Sequence, residues 1–301
     1  MARTMEEDVM SGPFGPPLAF RLAPAVGLAL MMIAAAGGRA AAPSGGRIEV
    51  VDPMKVTPLY GRPPFDQGGS ATHRRVINRQ GNGSIQLDIG YNLYAAGTRL
   101  AAPYAYRTDE FCFVPRGRLV LKSGGGDTEM TGGGLMWRPR GAASDGLDVL
   151  EDSVTICAMS PARIDADSHR LPAQDVGKWS GDPALRPKLH FFTVETAPRL
   201  DRAHRSPGTA ILEREMVSTR KDGSKIGMIF TRFRPGGKVK PVGTAEQICW
   251  VGKGRIDVQS GGDALIVATP SFFYRPAGVT IDAISASSGA EMLCFSGPAR
   301  F

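Results

Sequence analysis

The chain has 301 residues, of which 42% are hydrophobic, enough to bury a sizeable core without covalent staples. Its 38 glycines and 23 prolines, set among short apolar runs, favour tight turns and short strands over long helices. The formal charge of +7 is spread thinly, without a long lysine or arginine block or interleaved aromatics, which speaks against a nucleic-acid partner.

In chain order, the first feature is the apolar run LAPAVGLALMMIAAA, from Leu22 to Ala36, preceded by Arg21 and followed by GGRAAA. This has the length and small-residue exit of a secretory signal peptide. Residues 1–42 are therefore expected to be a leader, cleaved near Ala41 or Ala42, that sends the protein to the periplasm or medium. A membrane contact is expected only if the leader stays attached as an anchor. Glu6, Glu7 and Asp8 fit a signal n-region badly, which points to translation starting at Met10.

The remainder repeats. Cys112 and Cys157 are 45 residues apart, as are Cys249 and Cys294. A shift of 137 residues lays FCFVPRGRLVLKSGG on ICWVGKGRIDVQSGG, WRPRG on YRPAG and CAMSPAR on CFSGPAR, without a gap. The chain is a tandem duplication. Copy one, 43–164, contains the alternating runs IQLDIGYNLY, EFCFV, RLVLKS, LMWRP and VTICAM; copy two, 206–301, contains KIGMIFTRF, QICWV, RIDVQS, FFYRP and EMLCF. Short strands at this density read as a sandwich or barrel, so the expected class is all-β. Residues 165–205 are a proline-punctuated linker with one strand in KLHFFTVE.

The glycine and proline landmarks resemble the two motifs of the cupin superfamily, G-x5-H-x-H-x3-4-E-x6-G and G-x5-P-x-G-x2-H-x3-N. In copy one Glu110 and Gly117 match the first motif, and Gly133, Pro139 and Gly141 the second; in copy two Gly254, Pro276 and Gly278 match. The resemblance implies two tandem jelly-roll barrels, a bicupin. D-E-F-x-F-V-x-x-G-x-L with W-R-P-R-G is most similar to the ethanolamine-utilisation (EutQ-like) branch.

The ligand positions of that motif depart from it. The histidine positions are Tyr104, Tyr106 and Ser144 in copy one, with Glu110 retained; in copy two the four positions hold Pro241, Gly243, Gln247 and Ile281. None of His73, His169, His190 and His204 lies at a motif position. A phenol keeps its proton to about pH 10 and replaces imidazole poorly, so the expectation is no metal and no other cofactor.

Two functions follow from different classes. In one, Glu110, Tyr104 and Tyr106 perform metal-free acid/base chemistry on a small carbonyl or hydroxy compound, as a lyase or isomerase, while Ser144 orients the substrate. In the other, the protein is a non-catalytic bicupin that binds a small organic ligand or a partner chain. An open cavity bordered by Glu110 and both phenols would suit the first, a barrel filled by side chains the second.

Alternation gives further expectations. With Glu110 pointing inward, Cys112 and Val114 share its face and Phe111 and Phe113 oppose it. Trp137, Tyr274 and Gln247 are candidates for the ligand-facing surface, with core packing the alternative for the two aromatics. Arg138 and Arg275 are expected to face away from those aromatics, either in a surface ion pair or as carboxylate-binding arginines, Glu246 to face outward, and Lys238 and Lys240 to lie on a solvated strand. The cysteines either pair as Cys112–Cys157 and Cys249–Cys294 or are buried thiols. Pairing of two copies through sheet edges is the expected oligomer.

Overall fold

A computed structural model describes residues 46–60, 70–100, 103–124, 126–163, 170–176, 178, 186–200, 211–241 and 243–297. The expected leader, His169 and His204 lie outside these residues. No helix among them is long and apolar enough to cross a membrane.

Strands β1 (Glu49–Val51), β2 (Leu59–Tyr60), β3 (Ala71–Ile77), β4 (Asp88–Tyr94), β5 (Arg99–Leu100), β6 (Asp109–Lys122), β7 (Thr128–Thr131), β8 (Gly134–Arg138) and β9 (Gly146–Ser160) precede the linker, which carries β10 (His190–Thr193). The second copy contributes β11 (Ile211–Val217), β12 (Gly227–Phe233), β13 (Gly237–Val239), β14 (Gln247–Lys253), β15 (Arg255–Ser260), β16 (Asp263–Ala268), β17 (Ser271–Arg275), β18 (Ala283–Ala286) and β19 (Ala290–Ser296).

Barrel one has one wall ordered β10-β8-β6-β9-β4-β3-β2. The far halves of β6 and β9 fold over into a second wall, flanked by β7 and β5. Barrel two divides the same plan into sheets ordered β1-β17-β14-β19-β12-β11 and β13-β18-β15-β16. Antiparallel jelly-roll sheets of this kind turn their corners at bulges, and β6 shifts register against β9 between Phe113 and Arg116 and again around Arg118. Gly117 sits at this corner with φ +97°, where a Cβ would run into Ser153; Gly254 has φ +71° and meets the Gly289 carbonyl. These motif glycines are steric requirements of the corner.

Both edges are closed by strands from outside each repeat. His190–Thr193 of the linker pairs with Trp137–Gly134, and Glu49–Val51 pairs with Tyr274–Phe272. The strand expected in KLHFFTVE is thus an edge strand of barrel one. Residues 49–51, within the range expected for copy one, belong to the sheet of barrel two.

The two large sheets pack face to face. Phe111, Phe113, Leu135, Trp137 and Ile156 of barrel one share a core with Ile248, Trp250, Phe272, Tyr274 and Leu293 of barrel two. These strands bury both faces, one against the other barrel and one in their own interior, so Leu135 and Met136 are both buried although they point to opposite faces.

A guanidinium at the vacated ligand positions

Pairing across the barrel mouth assembles the four motif positions of copy one. Tyr104 and Ser144 exchange backbone hydrogen bonds, 2.9 and 3.1 Å, and Gly141 N–H donates to Tyr106 O at 2.9 Å. Glu110 lies opposite Arg138 in the β6–β8 register. Between them sits the Arg138 side chain, fully buried. Its Nε donates to Glu110 Oε2 at 2.8 Å and its NH1 to Ser144 Oγ at 2.9 Å. The guanidinium carbon stands 4.3 Å from the Tyr104 ring centroid and 5.7 Å from that of Tyr106, cation–π distances. All four positions therefore converge on an organic cation.

This donor set does not fit a transition metal. Glu110 Oε2 and Ser144 Oγ are taken by Arg138, whose pKa is raised by the Tyr104, Glu110 and Tyr106 oxygens against the opposing effect of burial, so it stays charged. Burial, then Glu110 and Tyr104, push the Tyr106 phenol well above 10, so it remains a neutral hydroxyl. The carboxylate and sulfur atoms of Glu110, Cys112 and Cys157 lie within 4.8 Å of one another, but the two sulfurs are bonded to each other as a disulfide.

Arg138 is the main correction to the sequence reading. It does face away from Trp137, but into the barrel rather than into a surface ion pair. Trp137 lies on the opposite face, stacked on Phe111 at 5.7 Å and on His190 at 4.7 Å, within the inter-barrel core. Tyr274 is placed equivalently, so neither aromatic walls a ligand cavity. Arg275 repeats the arrangement in barrel two: it is 1% exposed and donates to the carbonyls of Gly243 at 3.0 Å and Ala245 at 2.7 Å.

Beside this cluster, the described residues of barrel one enclose a cavity of about 180 Å³. Glu110, Cys112, Val114, Tyr104 and Tyr106 line it; Ser144 does not, because it is buried behind with Arg138. The first wall supplies polar groups, among them His73, Asn92, Thr155 and Arg75, and the second supplies Leu100, Leu119, Leu121, Met130 and Leu147. His73 Nδ1 is 3.1 Å from Asn92 Oδ1, a pair invisible to motif reading because only the β3–β4 register brings the two together.

Four arginines but one glutamate line the cavity. Arg75 and Arg163 share the buried Asp88: Arg75 NH2 reaches Oδ2 at 2.5 Å, and Arg163 binds through Nε at 3.0 Å and NH2 at 2.6 Å. Burial alone would raise the Asp88 carboxyl, but Arg163 and then Arg75 hold it below its ordinary value. A depressed folded pKa contributes stability above the unfolded value of about 3.9 that is lost as pH falls through the folded one. Asp88→Asn should therefore melt below the parent at pH 7, with the gap closing below about pH 4, as followed by melting temperature against pH.

Among the described residues, the disulfide of barrel two is surrounded by apolar side chains. Phe273 stands for Met136 and Met292 for Thr155, and both pack in its apolar interior with Ile281, Ile284 and Val251. Gln247 donates to Ser296 Oγ at 3.1 Å and borders no described cavity. Glu246 points out of barrel two, as expected, but it is buried against barrel one. It accepts from Ser84 Oγ at 2.5 Å and from the N–H groups of Ile85, Gln86 and Leu87 at 3.0–3.2 Å. Lys238 and Lys240 are exposed.

No family model matches the chain, and no curated protein matches it. Among solved structures, the Pseudomonas aeruginosa protein described as glyoxylate-induced superposes with a TM-score of 0.61 at 14% identity, over 84% of this chain and 89% of that one. Oxalate decarboxylase from Lactobacillus farciminis gives 0.59 at 11% identity over 83% and 86%. The fold is that of a bicupin. The 7S globulin of Momordica charantia gives 0.57 at 12% identity over 83% of this chain and 84% of that one, so bicupins of this shape include an enzyme and a globulin. Identities this low convey fold, and the site must speak for function.

Proposed function

We propose that the protein is an exported bicupin of the ethanolamine-utilisation type whose first barrel binds a small organic anion without a metal. The observation that carries this reading is Arg138, buried among Glu110, Ser144 and the two tyrosine rings, beside a cavity whose lining is rich in arginine. Glu110 and Arg138 neutralise each other, and the excess of arginine over carboxylate in the rest of the lining makes the cavity electropositive, which suits a carboxylate. The second wall receives an apolar body. The volume is below the ~300 Å³ at which drug-sized pockets begin, which selects a short-chain acid.

The acid/base reading draws on one observation: Glu110 and both phenols border the same cavity. Against it, Arg138 Nε already occupies Glu110 Oε2 at 2.8 Å, which leaves the carboxylate little freedom to reach a substrate proton.

A thermal-shift panel of short aliphatic carboxylates and their neutral amides tests the binder. Acids should raise the melting temperature and amides should not. Met136→Phe with Thr155→Met, the residues of barrel two, should abolish the shift while the protein remains folded. Equal shifts for acids and amides, or a shift that survives the filled cavity, would refute anion binding in this barrel. If a turnover is found, full activity in Glu110→Gln would eliminate the acid/base mechanism.

A further inference from the structure

The duplication provides an internal control for its own disulfides. Cys112 and Cys157 are register partners between β6 and β9, and Cys249 and Cys294 between β14 and β19, each pair 45 residues apart and each bonded. Their surroundings differ. Cys249 is fully buried and Cys294 5% exposed, among Val251, Phe273 and Met292. Cys112 and Cys157 are both partly exposed and form part of the cavity wall, whose rim includes the exposed Leu59.

The polar partners differ as well. Asn92 Nδ2 donates to Cys157 Sγ at 3.5 Å and to Thr155 Oγ1 at 3.0 Å. The Thr155 hydroxyl, which also shares a side-chain hydrogen bond with Tyr94, lies 3.6 Å from Cys157 Sγ, within reach to donate to it. Asn92 is oriented in turn by His73, at 3.1 Å. Donors of this kind stabilise a thiolate, and a stabilised thiolate is the better leaving group. In barrel two the Thr155 position is Met292, which has no proton to donate.

We propose that Cys112–Cys157 is a thiol–disulfide exchange site for small organic thiols that enter the barrel-one cavity. A thiolate attacks Cys112 Sγ and forms a mixed disulfide with it. The Cys112–Cys157 bond breaks, and its electron pair leaves on Cys157 as a thiolate held by Asn92 and Thr155. Return attack of Cys157 on Cys112 expels the incoming thiol unchanged. Attack by a second thiolate on the thiol's sulfur in the mixed disulfide instead releases a symmetric disulfide. The protein is then reduced by two electrons as two thiols are oxidised. Cys249–Cys294 remains a structural crosslink of the second barrel.

The full-length protein is incubated with cysteine and with cysteamine, quenched by alkylation and mapped by peptide mass spectrometry, while circular dichroism follows the fold. Cys112 and Cys157 should open at least about tenfold faster than Cys249 and Cys294, with the fold intact. Cys157→Ser should retain cysteine as a mixed disulfide on Cys112 after treatment with cystine. Thr155→Val should slow opening about fivefold, the loss expected for one hydrogen bond. Equal rates for the two bridges, earlier opening of Cys249–Cys294, or opening of Cys112–Cys157 only as the dichroism signal is lost would each overturn the proposal. The comparison of bridges needs no variant, so poor folding of a mutant leaves the result decisive.

Discussion

Arg138→Met should lower stability by about 3–5 kcal/mol, the cost of removing one partner from a buried ion pair, and lower the melting temperature by on the order of 10 °C. The loss arises because Glu110, 6% exposed, would stay buried and lose its hydrogen-bonded ion-pair partner. Arg138→Lys should recover only part. An ammonium group is a point donor and cannot bond Glu110 Oε2 and Ser144 Oγ while presenting a flat face to Tyr104. Arg138→Met combined with Glu110→Leu should regain most of the loss, since apolar replacement of both members of a buried pair is often neutral or better. Melting curves of the single and double variants give the coupling directly. A double variant no more stable than Arg138→Met would show that Glu110 and Arg138 act separately.

The second large effect is expected far from the cavity. Glu246→Ala should cost about 2–4 kcal/mol, because the backbone N–H groups of Ile85, Gln86 and Leu87 lose their shared acceptor at a buried junction. Glu246 precedes β14 and its donors precede β4, so the carboxylate ties a turn of barrel one to barrel two. The Tyr274 phenol beside it is pushed above its ordinary pKa by burial and by Glu246 itself, so it stays protonated. Amide hydrogen exchange should show faster opening at residues 85–89 in Glu246→Ala, with Val258 and Val267, inside barrel two, unchanged. Uniform acceleration across both barrels would mean that Glu246 supports the whole fold and not this junction. Glu246→Gln should fall between the two, since its amide oxygen accepts as the carboxylate does but its NH2 group faces donors.

How differently the residues of one strand were legible is clearest in β8. Alternation alone says that Trp137 and Arg138 face opposite ways, which is correct. It does not say which face is the barrel interior, and an arginine reads naturally as the solvent side. Both faces of β8 are buried, so hydrophobicity offers no sign. The assignment comes from the register, in which Arg138 stands opposite Glu110. The same ambiguity left Trp137 and Tyr274 open between a ligand surface and core packing, and they fill the joint between barrels. In β6 the reading succeeded because Glu110 marked the interior and Cys112 and Val114 followed by parity.

The duplication, the all-β class, the strand runs and the corner glycines are local properties: they depend on side-chain periodicity and on φ values open only to glycine, which one chain displays by itself. The Arg138 guanidinium held by Glu110 and Tyr104, the His73–Asn92–Cys157 chain and the Glu246 strut each join residues tens to more than a hundred positions apart. Such contacts exist only once register and barrel docking are set, and those are decided by which apolar faces find one another. The tyrosines at the vacated histidine positions could be read from the chain, but that they surround an arginine could be seen only in the folded barrel.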